Sequence, residues 1–411
     1  MHVRSDIATG TEMKSIENRE LHTMNTDILQ DLSGTQNLNA RRKARRRVSS
    51  GELVEPVPMN FADAQEWKKL SKSAKTLAKI YAVARMHRDK PLTGVSAAAV
   101  LGSVVHERYH THVHFAHDAH TSSSPRTRVP YTSHYIPNSR PKELIAQTMA
   151  SASAPREILD DPLACVRAYT PLTDTLGLVN GLLVTTPLQT IFECLRSIVF
   201  EQAMIICDDL ARAFGIARDE LDTFMDGNIR RWRGRITRFK ANFIDARAEN
   251  GGESFARARM IRAGFVAPEL QRVVPNPYAQ LERAAGPSVQ TSATVRPDFC
   301  WDVTDPASNV RHLAAELDGQ GKYTDPKILA ASGGTGEDVV FKEKDRESAL
   351  CAVGYAFARF RFNEVRDDFG RIMIAKLEML GVPKVDAREQ ARRRKWLAWD
   401  MRDATLKRFI L

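Results

Sequence analysis

Three acidic residues in the second half of the chain have the types and the order that a metal-dependent phosphodiesterase needs. Glu253 opens a predicted helix, Asp298 follows Arg296-Pro297, and Glu316 begins the run Glu-Leu-Asp-Gly. Carboxylate oxygens bind hard cations such as Mg²⁺, and a bound cation activates water and stabilises charge on a phosphate. One helical carboxylate and two strand carboxylates in this order indicate a site that holds a divalent metal against a phosphodiester.

The elements that must position these acids alternate between strands and helices. Their hydrophobic periodicity predicts an α/β core in which helices flank a mixed sheet. The predicted elements are a helix at 253–263, strands at 269–274, 295–303 and 311–318, a helix at 337–352, a strand at 355–361 and a helix at 364–380.

This part of the chain resembles the very-short-patch-repair-like branch of the PD-(D/E)XK endonuclease superfamily. Residues from about 40 to 375 resemble bacterial proteins that join such a domain to a segment similar to the AbiE-type antitoxin, a winged-helix DNA-binding regulator of toxin–antitoxin systems. The matching residues are Gly51-Glu52-Leu53, Val95-Ser96-Ala97-Ala98-Ala99, Val184-Thr185-Thr186-Pro187 with Thr190, Ala248-Glu249-Asn250-Gly251-Gly252-Glu253-Ser254, Arg262-Ala263-Gly264 with Gln271, Arg296-Pro297-Asp298, Glu316-Leu317-Asp318-Gly319 with Lys322-Tyr323, and Glu343-Lys344-Asp345-Arg346-Glu347 with Leu350 and Gly354.

The resemblance implies a role for each acid. Asp298 and Glu316 would ligate Mg²⁺, for which Mn²⁺ can substitute, and the carbonyl of Leu317 would complete the inner shell. Glu253 would hold a metal-bound water or a second ion. The implied activity is Mg²⁺-dependent hydrolysis of DNA.

One position departs from the usual pattern of the superfamily. Asp318 stands where a lysine normally orients or deprotonates the attacking water, although this branch often has the same Glu-X-Asp-Gly form. Lys322 or Lys344 could supply the missing cation from a neighbouring segment. Because Lys344 and Arg346 are two residues apart on a predicted helix, at most one of them can face the metal.

Structural roles for the same acids remain open. Asp318-Gly319 is a strong turn signal, Asp298 after a proline could cap a turn, and Glu253 near a helix start would interact favourably with the helix dipole.

Basic segments indicate a polyanionic partner. The chain has 60 Lys+Arg against 50 Asp+Glu, a formal net charge of +10, which suits binding to DNA phosphates. The run 41–47 is an arginine-rich arm or helix, and Arg231, Arg235 and Arg238 share one flank of a predicted basic helix. We expect these three arginines, with Lys344 and Arg346, to bind DNA. The alternative is a set of solvated basic faces without a partner.

Histidines and cysteines suggest less specific roles. Alternation places His110, His112 and His114 on one face of a predicted strand, within a cluster from His106 to His120 that indicates either an exposed strand edge or a zinc or nickel site.

The five cysteines form no CxxC pair, which predicts reduced thiols and a cytoplasmic protein. Since the sequence has neither an apolar run of about 18–20 residues nor a secretory signal, we expect no membrane partner.

The predicted fold is mixed: an α+β antitoxin-like N-terminal half and a restriction-endonuclease-like α/β C-terminal domain. The predicted organisation is a disordered tail at 1–40, a basic segment with a winged-helix remnant at 41–62, an antitoxin-like domain at 63–228, a basic linker helix at 229–247, a nuclease-like domain at 248–380 and a basic C-terminal helix at 381–411. The leading hypothesis is a DNA-binding, Mg²⁺-dependent endonuclease. The alternative is a non-catalytic DNA-binding regulator with a cognate toxin protein as partner.

Overall fold

The chain forms a mixed α/β structure divided into two compact units. A computed structural model describes residues 28–32, 34, 37–119, 131–139, 168–279, 292–318 and 345–398. The units are Met1–Thr186 and Pro187–Leu411, so the boundaries predicted near 228 and 247 both fall inside the second unit. The prediction of a mixed fold is confirmed at this level. No helix in the described ranges is long and apolar enough to cross a membrane.

The first unit begins with a helix that packs on a small antiparallel sheet. Its elements are β1 (Gln30–Asp31), α1 (Leu38–Ser49), β2 (Leu53–Val57) and β3 (Asn60–Asp63), and the strand order is β1-β3-β2. The side chain of Asn37 caps α1 by accepting the backbone N–H groups of residues 39 and 40. Ala44 of α1 packs with Leu53 and Phe61 of the sheet, so one face of this strongly basic helix is held by the sheet.

The described residues from 64 to 186 form three α-helices and five short strands. They are α2 (Ala64–Lys69), α3 (Lys72–Met86), α4 (Gly94–Val100), β4 (Val113–His117), β5 (Tyr131–Tyr135), β6 (Tyr169–Pro171), β7 (Leu176–Val179) and β8 (Leu182–Thr185). Strands β4 and β5 are parallel, whereas β6-β7-β8 is an antiparallel meander. Thr93 is the N-cap residue of α4. The hydroxyl of Ser96, within the helix, accepts the backbone N–H of His114 in β4.

The second unit starts with four helices, α5 (Pro187–Ser197), α6 (Phe200–Ala213), α7 (Arg218–Gly227) and α8 (Gly234–Ala241). The hydrophobic periodicity from Leu188 to Ala213 predicts a single helix, but the backbone of Val199 is extended and separates α5 from α6. The buried ammonium of Lys240 donates to the carbonyls of Leu195 and Ile198, at 2.9 and 3.4 Å. These bonds satisfy acceptors at the end of α5 that a continuous helix would have bonded internally.

A mixed four-stranded sheet follows, in the predicted order of elements. The elements are α9 (Gly251–Arg262), β9 (Glu269–Leu270), β10 (Val274–Pro275), β11 (Thr294–Val295), β12 (Phe299–Thr304), β13 (Val310–Asp318), a helix at 345–352 that we label α10, β14 (Tyr355–Arg361), α11 (Phe362–Arg366), α12 (Arg371–Leu380) and α13 (Ala387–Leu397). The strand order is β14-β13-β12-β9. Only the β13–β14 pairing in this sheet is parallel.

Alternation along β13 determines which side chains meet on each face of this sheet. Leu313, Ala315 and Leu317 belong to the large core that also contains Phe255 and Met260 of α9. Glu316 and Asp318 therefore point to the opposite face. A smaller cluster of Val274, Val295, Ala349 and Leu350 covers that face, so the two strand acids lie on the side of α10.

Candidate carboxylate site and basic surfaces

Glu253 is a buried carboxylate that completes the start of α9. Asn250 caps the helix by accepting the backbone N–H of Glu253 at 3.1 Å, and its amide donates back to the Glu253 carboxylate. The same carboxylate accepts the backbone N–H of Glu249 at 2.8 Å and the amide of Gln271 at 3.3 Å. Burial, followed by the negative charge of Asp298, raises the pKa of Glu253 to about 7. The structure thus brings Glu253 and Asp298 together, and it also gives Glu253 a capping role.

Asp298 lies immediately before β12 and is bound to the neighbouring strand. Its Oδ2 accepts the backbone N–H of Leu317 at 2.8 Å. Phe299 pairs with Ala315 in the antiparallel β12–β13 ladder, so one residue further along the register Asp298 faces Glu316. Two of the three predicted acids are therefore neighbours across the strands, as the predicted site requires.

The carboxylate of Glu316 is held between two guanidinium groups. Its Oε1 accepts from Arg346 at 3.1 Å and its Oε2 accepts from Arg359 at 3.0 Å, and the residue is 6% exposed. Arg359 also contacts Asp318, at 3.3 Å between Nη1 and Oδ1. Arg346 additionally donates to the carbonyl of Arg296 at 3.1 Å. The two strand acids are thus neutralised by arginines, and Arg346, which was predicted to bind DNA, has an ion-pair role here.

The described residues do not fit a Mg²⁺ ion shared by Asp298 and Glu316, the predicted pair of ligands. Oxygen donors of the right kind are present at Glu253, Asp298 and Glu316, but both oxygens of Glu316 face arginines. No group of three or more His, Cys, Asp or Glu side chains in the described part of the chain could hold a metal ion. Lys322 and Lys344, the predicted substitutes for the missing lysine, lie outside the described residues.

The basic segment at 229–247 contains a shorter helix than predicted, and two of its three predicted DNA-binding arginines contact acids of the same unit. Arg231 precedes α8 and lies 3.6 Å from Glu193, while Arg238 bonds Asp226 at 2.7 Å. Arg235 is exposed, and no other described residue forms an ion pair with it. Of the three, Arg235 is therefore best placed to meet a phosphate.

Helix α1 presents four exposed basic side chains within five consecutive residues. Arg42, Lys43, Arg45 and Arg46 are all exposed, whereas Ala44 is buried against the sheet. With about 100° of rotation per residue, Arg42 and Arg46 lie nearly opposite Ala44. The sheet thus orients these four cations outward, within about 6 Å of rise on a helix about 18 Å long.

The histidine-rich segment is partly exposed and only partly a strand: His106 and His112 are exposed, whereas His110, His114 and His117 are half-buried. His110 ends a short 3-10 turn and His112 precedes the strand, so only His114 of the three lies in β4. His114 Nδ1 is 2.9 Å from His134 Nε2, and the two rings stack. Burial and the neighbouring histidines lower the pKa of His114 well below its usual value, and burial lowers that of His110 to about 4. His120 lies outside the described residues.

Two side chains in the carboxylate site were not predicted as site residues. Gln271 belonged to the family pattern without an assigned role, and it donates to Glu253 from a left-handed backbone position with a φ of 54°. Arg359 lies opposite Glu316 in the parallel ladder. Alternation along β14 could have shown which face Arg359 occupies, but the register that aligns it with Glu316 depends on a long-range pairing.

Comparison with known proteins adds no further assignment, since no family model, curated protein or solved structure matches the chain.

Proposed function

We propose that this chain is a DNA-binding protein that inserts α1 into the major groove of duplex DNA. The observation behind this proposal is the exposed row of Arg42, Lys43, Arg45 and Arg46 on a helix whose other face packs on a sheet. A rigid helix of this width fits the major groove, and each neutralised phosphate releases a counterion.

The topology around α1 supports the same proposal. A helix followed by a β-hairpin, with a third strand in the order β1-β3-β2, matches the last helix, the wing and the sheet order of a winged helix. The hairpin β2–β3 would be the wing, and α1 would be the recognition helix that contacts base edges. This assignment extends the predicted winged-helix remnant at 41–62 to include Gln30–Asp31 and the first residues of α1. A DNA-binding regulator of the antitoxin type, with a toxin protein as partner, was the alternative hypothesis from the sequence, and a DNA-contacting α1 is the form of binding that it requires.

The salt dependence of DNA affinity tests this proposal. Changing Arg42, Lys43, Arg45 and Arg46 together to Ala keeps a strong helix former at each position. If all four side chains contact phosphates, the slope of log K against log salt should become shallower by about 3.6, at about 0.9 per contact.

A control variant removes the same charge from the same unit. Lys68, Lys69, Lys72 and Lys79 are exposed on α2 and α3, and changing them to Ala should leave the slope nearly unchanged. An unchanged slope in the α1 variant would contradict a role for α1, and an equal decrease in both variants would indicate that only net charge matters.

Mg²⁺-dependent phosphodiester hydrolysis is a second candidate, which one observation favours. Glu253 has its pKa raised to about 7 partly by the charge of Asp298, so a cation near this pair would stabilise both carboxylates. The order helix, three antiparallel strands, helix and parallel strand in the second unit agrees with a nuclease-like core. Since both oxygens of Glu316 contact arginines, the ligands of a cation in this arrangement would be Glu253 and Asp298 and not Glu316.

Two measurements test this second candidate. We expect Mg²⁺ or Mn²⁺ to raise the melting temperature of the wild type but not of Asp298→Asn, whose amide keeps the shape and loses the charge. We also expect plasmid nicking that requires Asp298. An intact plasmid across a wide range of both metals, with no metal-induced change in melting temperature, would leave DNA binding as the function and exclude hydrolysis at this pair.

A further inference from the structure

Trp232 is a large aromatic side chain that the second unit exposes to solvent. The residue is 64% exposed, in the turn between α7 and α8. The guanidinium carbon of Arg233 lies 4.5 Å from the centre of the ring and that of Arg196 lies 5.6 Å from it. Arg233 also donates to the carbonyl of Arg196 at 2.9 Å. The two arginines therefore form a connected support for a ring that remains largely accessible.

The backbone of this turn is closely packed, which fixes the position of the ring. Arg231 N–H donates to the carbonyl of Asn228 at 3.0 Å, and Gly234 N–H donates to the carbonyl of Arg231 at 2.8 Å. A Cβ atom added to Gly234 would lie 2.4 Å from the carbonyl oxygen of Ile229 and 2.6 Å from that of Asn228. Only glycine permits this close approach, and Arg233 adopts a left-handed conformation with a φ of 61°. The tight turn thus holds Trp232 outward in one place.

The charge around Trp232 is positive. Arg230 and Arg235 are exposed on either side of it in the sequence, and within the described part of the chain neither forms an ion pair. The nearby acid Glu193 is fully buried and contacts Arg196 and Arg231. A partner of this surface should therefore combine negative charge with a flat ring that can stack on an indole.

We propose that Trp232 is a stacking platform for an unpaired base of DNA, and that Arg230 and Arg235 contact the phosphates beside that base. An unpaired base has a free π-face, which a fully paired duplex does not offer, and aromatic platforms bordered by cations bind single strands through stacking and phosphate contacts. The choice of DNA rests on the proposed function, but this surface lies in the second unit and is separate from α1. It would give the protein a preference for bulged, frayed or single-stranded DNA.

The test compares three DNAs of equal length: a fully paired duplex, the same duplex with one bulged base, and the single strand. Dissociation constants are measured by fluorescence anisotropy for the full-length protein and its variants. We expect Trp232→Ala to weaken binding to bulged and single-stranded DNA by about 5- to 150-fold, with less than a twofold effect on the paired duplex. Trp232→Phe should retain part of the preference because it keeps a stacking ring.

Controls separate this inference from the proposed function and from misfolding. Met379→Ala removes another exposed apolar side chain of the second unit, which is 89% exposed, and should change none of the affinities. The α1 variant should weaken binding to the paired duplex. If Trp232→Ala leaves every affinity unchanged, as expected of a site for a protein partner, or weakens all three equally, the stacking platform is refuted. If Trp232→Ala does not fold, the quenching of tryptophan fluorescence by single-stranded DNA is compared between the wild type and Trp232→Phe. Quenching as large in Trp232→Phe as in the wild type would refute the stacking platform.

Discussion

The charge state of Glu253 should make the stability of the second unit depend on pH. Its carboxyl is 3% exposed and receives hydrogen bonds from the backbone N–H of Glu249 and the amides of Asn250 and Gln271. These donors are neutral, and beyond burial the strongest effect on the Glu253 carboxyl is the negative charge of Asp298. The folded state therefore favours the protonated form more than the unfolded state does.

The sign and size of the effect follow from the two pKa values of this carboxyl. The pKa of Glu253 rises from 4.5 in the unfolded chain to about 7 in the folded protein. Between these values the folded state binds more protons, so its free energy of unfolding falls as pH rises. A shift of about 2.5 units at 1.36 kcal/mol each corresponds to about 3 kcal/mol, lost between about pH 4.5 and pH 7 and constant above.

Glu253→Gln removes the titration and keeps the size of the side chain. At pH 4.5 we expect the variant to be no more stable than the wild type. Between pH 4.5 and pH 7.5 the wild type alone should lose up to about 3 kcal/mol, so the stability of the variant relative to the wild type should rise by that amount. Peptide-level hydrogen exchange in α9 and β12 reports the free energy of unfolding of the second unit alone, once the observed rates are corrected for the intrinsic exchange rate at each pH.

A second variant tests the cause of the shift. Asp298→Asn removes the like charge and lowers the folded-state pKa of Glu253. The loss of stability should still begin near pH 4.5, the unfolded value, but it should end at a lower pH and be smaller than in the wild type. A stability difference between wild type and Glu253→Gln that does not change from pH 4.5 to pH 7.5 would refute the reasoning, because it would mean that Glu253 has the same pKa in both states.

Three further substitutions and one control probe the packing of the second unit, each measured as the free energy of unfolding. Asp208→Ala leaves the guanidinium of Arg257, now bonded to Asp208 at 2.7 Å and almost fully buried, without its carboxylate, and should cost about 3–5 kcal/mol; a loss below 1 kcal/mol would show that water enters. Gly234→Ala should destabilise by about 1–3 kcal/mol because the turn must open, whereas Gly227→Ala, whose added Cβ meets nothing within 4 Å, should be neutral or stabilising. Lys240→Met leaves two carbonyls at the end of α5 without their buried donor and should cost about 1–3 kcal/mol, so an unchanged stability would count against this capping role.

The order of elements in the second unit could be predicted because each depends on local periodicity. The predicted helix at 253–263 corresponds to α9 (Gly251–Arg262), and the predicted strand at 355–361 corresponds to β14. Apolar residues repeat every two positions in a half-buried strand and about every 3.6 positions in a helix, so a local window suffices. The predicted helix starting at Leu188 failed at Val199 because its break depends on Lys240, which is far away in the sequence.

The contacts of the carboxylate site depend on register, and register could not be predicted from a local pattern. Alternation correctly groups Glu316 with Asp318 on one face of β13, but the pairing of Glu316 with Arg359 depends on how two strands 40 residues apart align. A similar limit applies to the histidines. Alternation from His110 predicts a strand that includes all three histidines, whereas β4 begins at Val113 after a 3-10 turn.

The distribution of charge within the site changes which acids could hold a cation. The sequence pattern pairs Asp298 with Glu316 as metal ligands, yet each oxygen of Glu316 already accepts from a guanidinium. Placing a divalent cation there would set it against Arg346 and Arg359, a repulsion that a half-buried site screens poorly. Glu253 has only neutral donors among the described residues and a pKa raised by Asp298, so it gains most from a cation. Glu253 and Asp298 repel each other when both are ionised, which destabilises the folded protein above pH 7. A bound metal would relieve this repulsion, so the gain in stability from a metal should be largest at high pH.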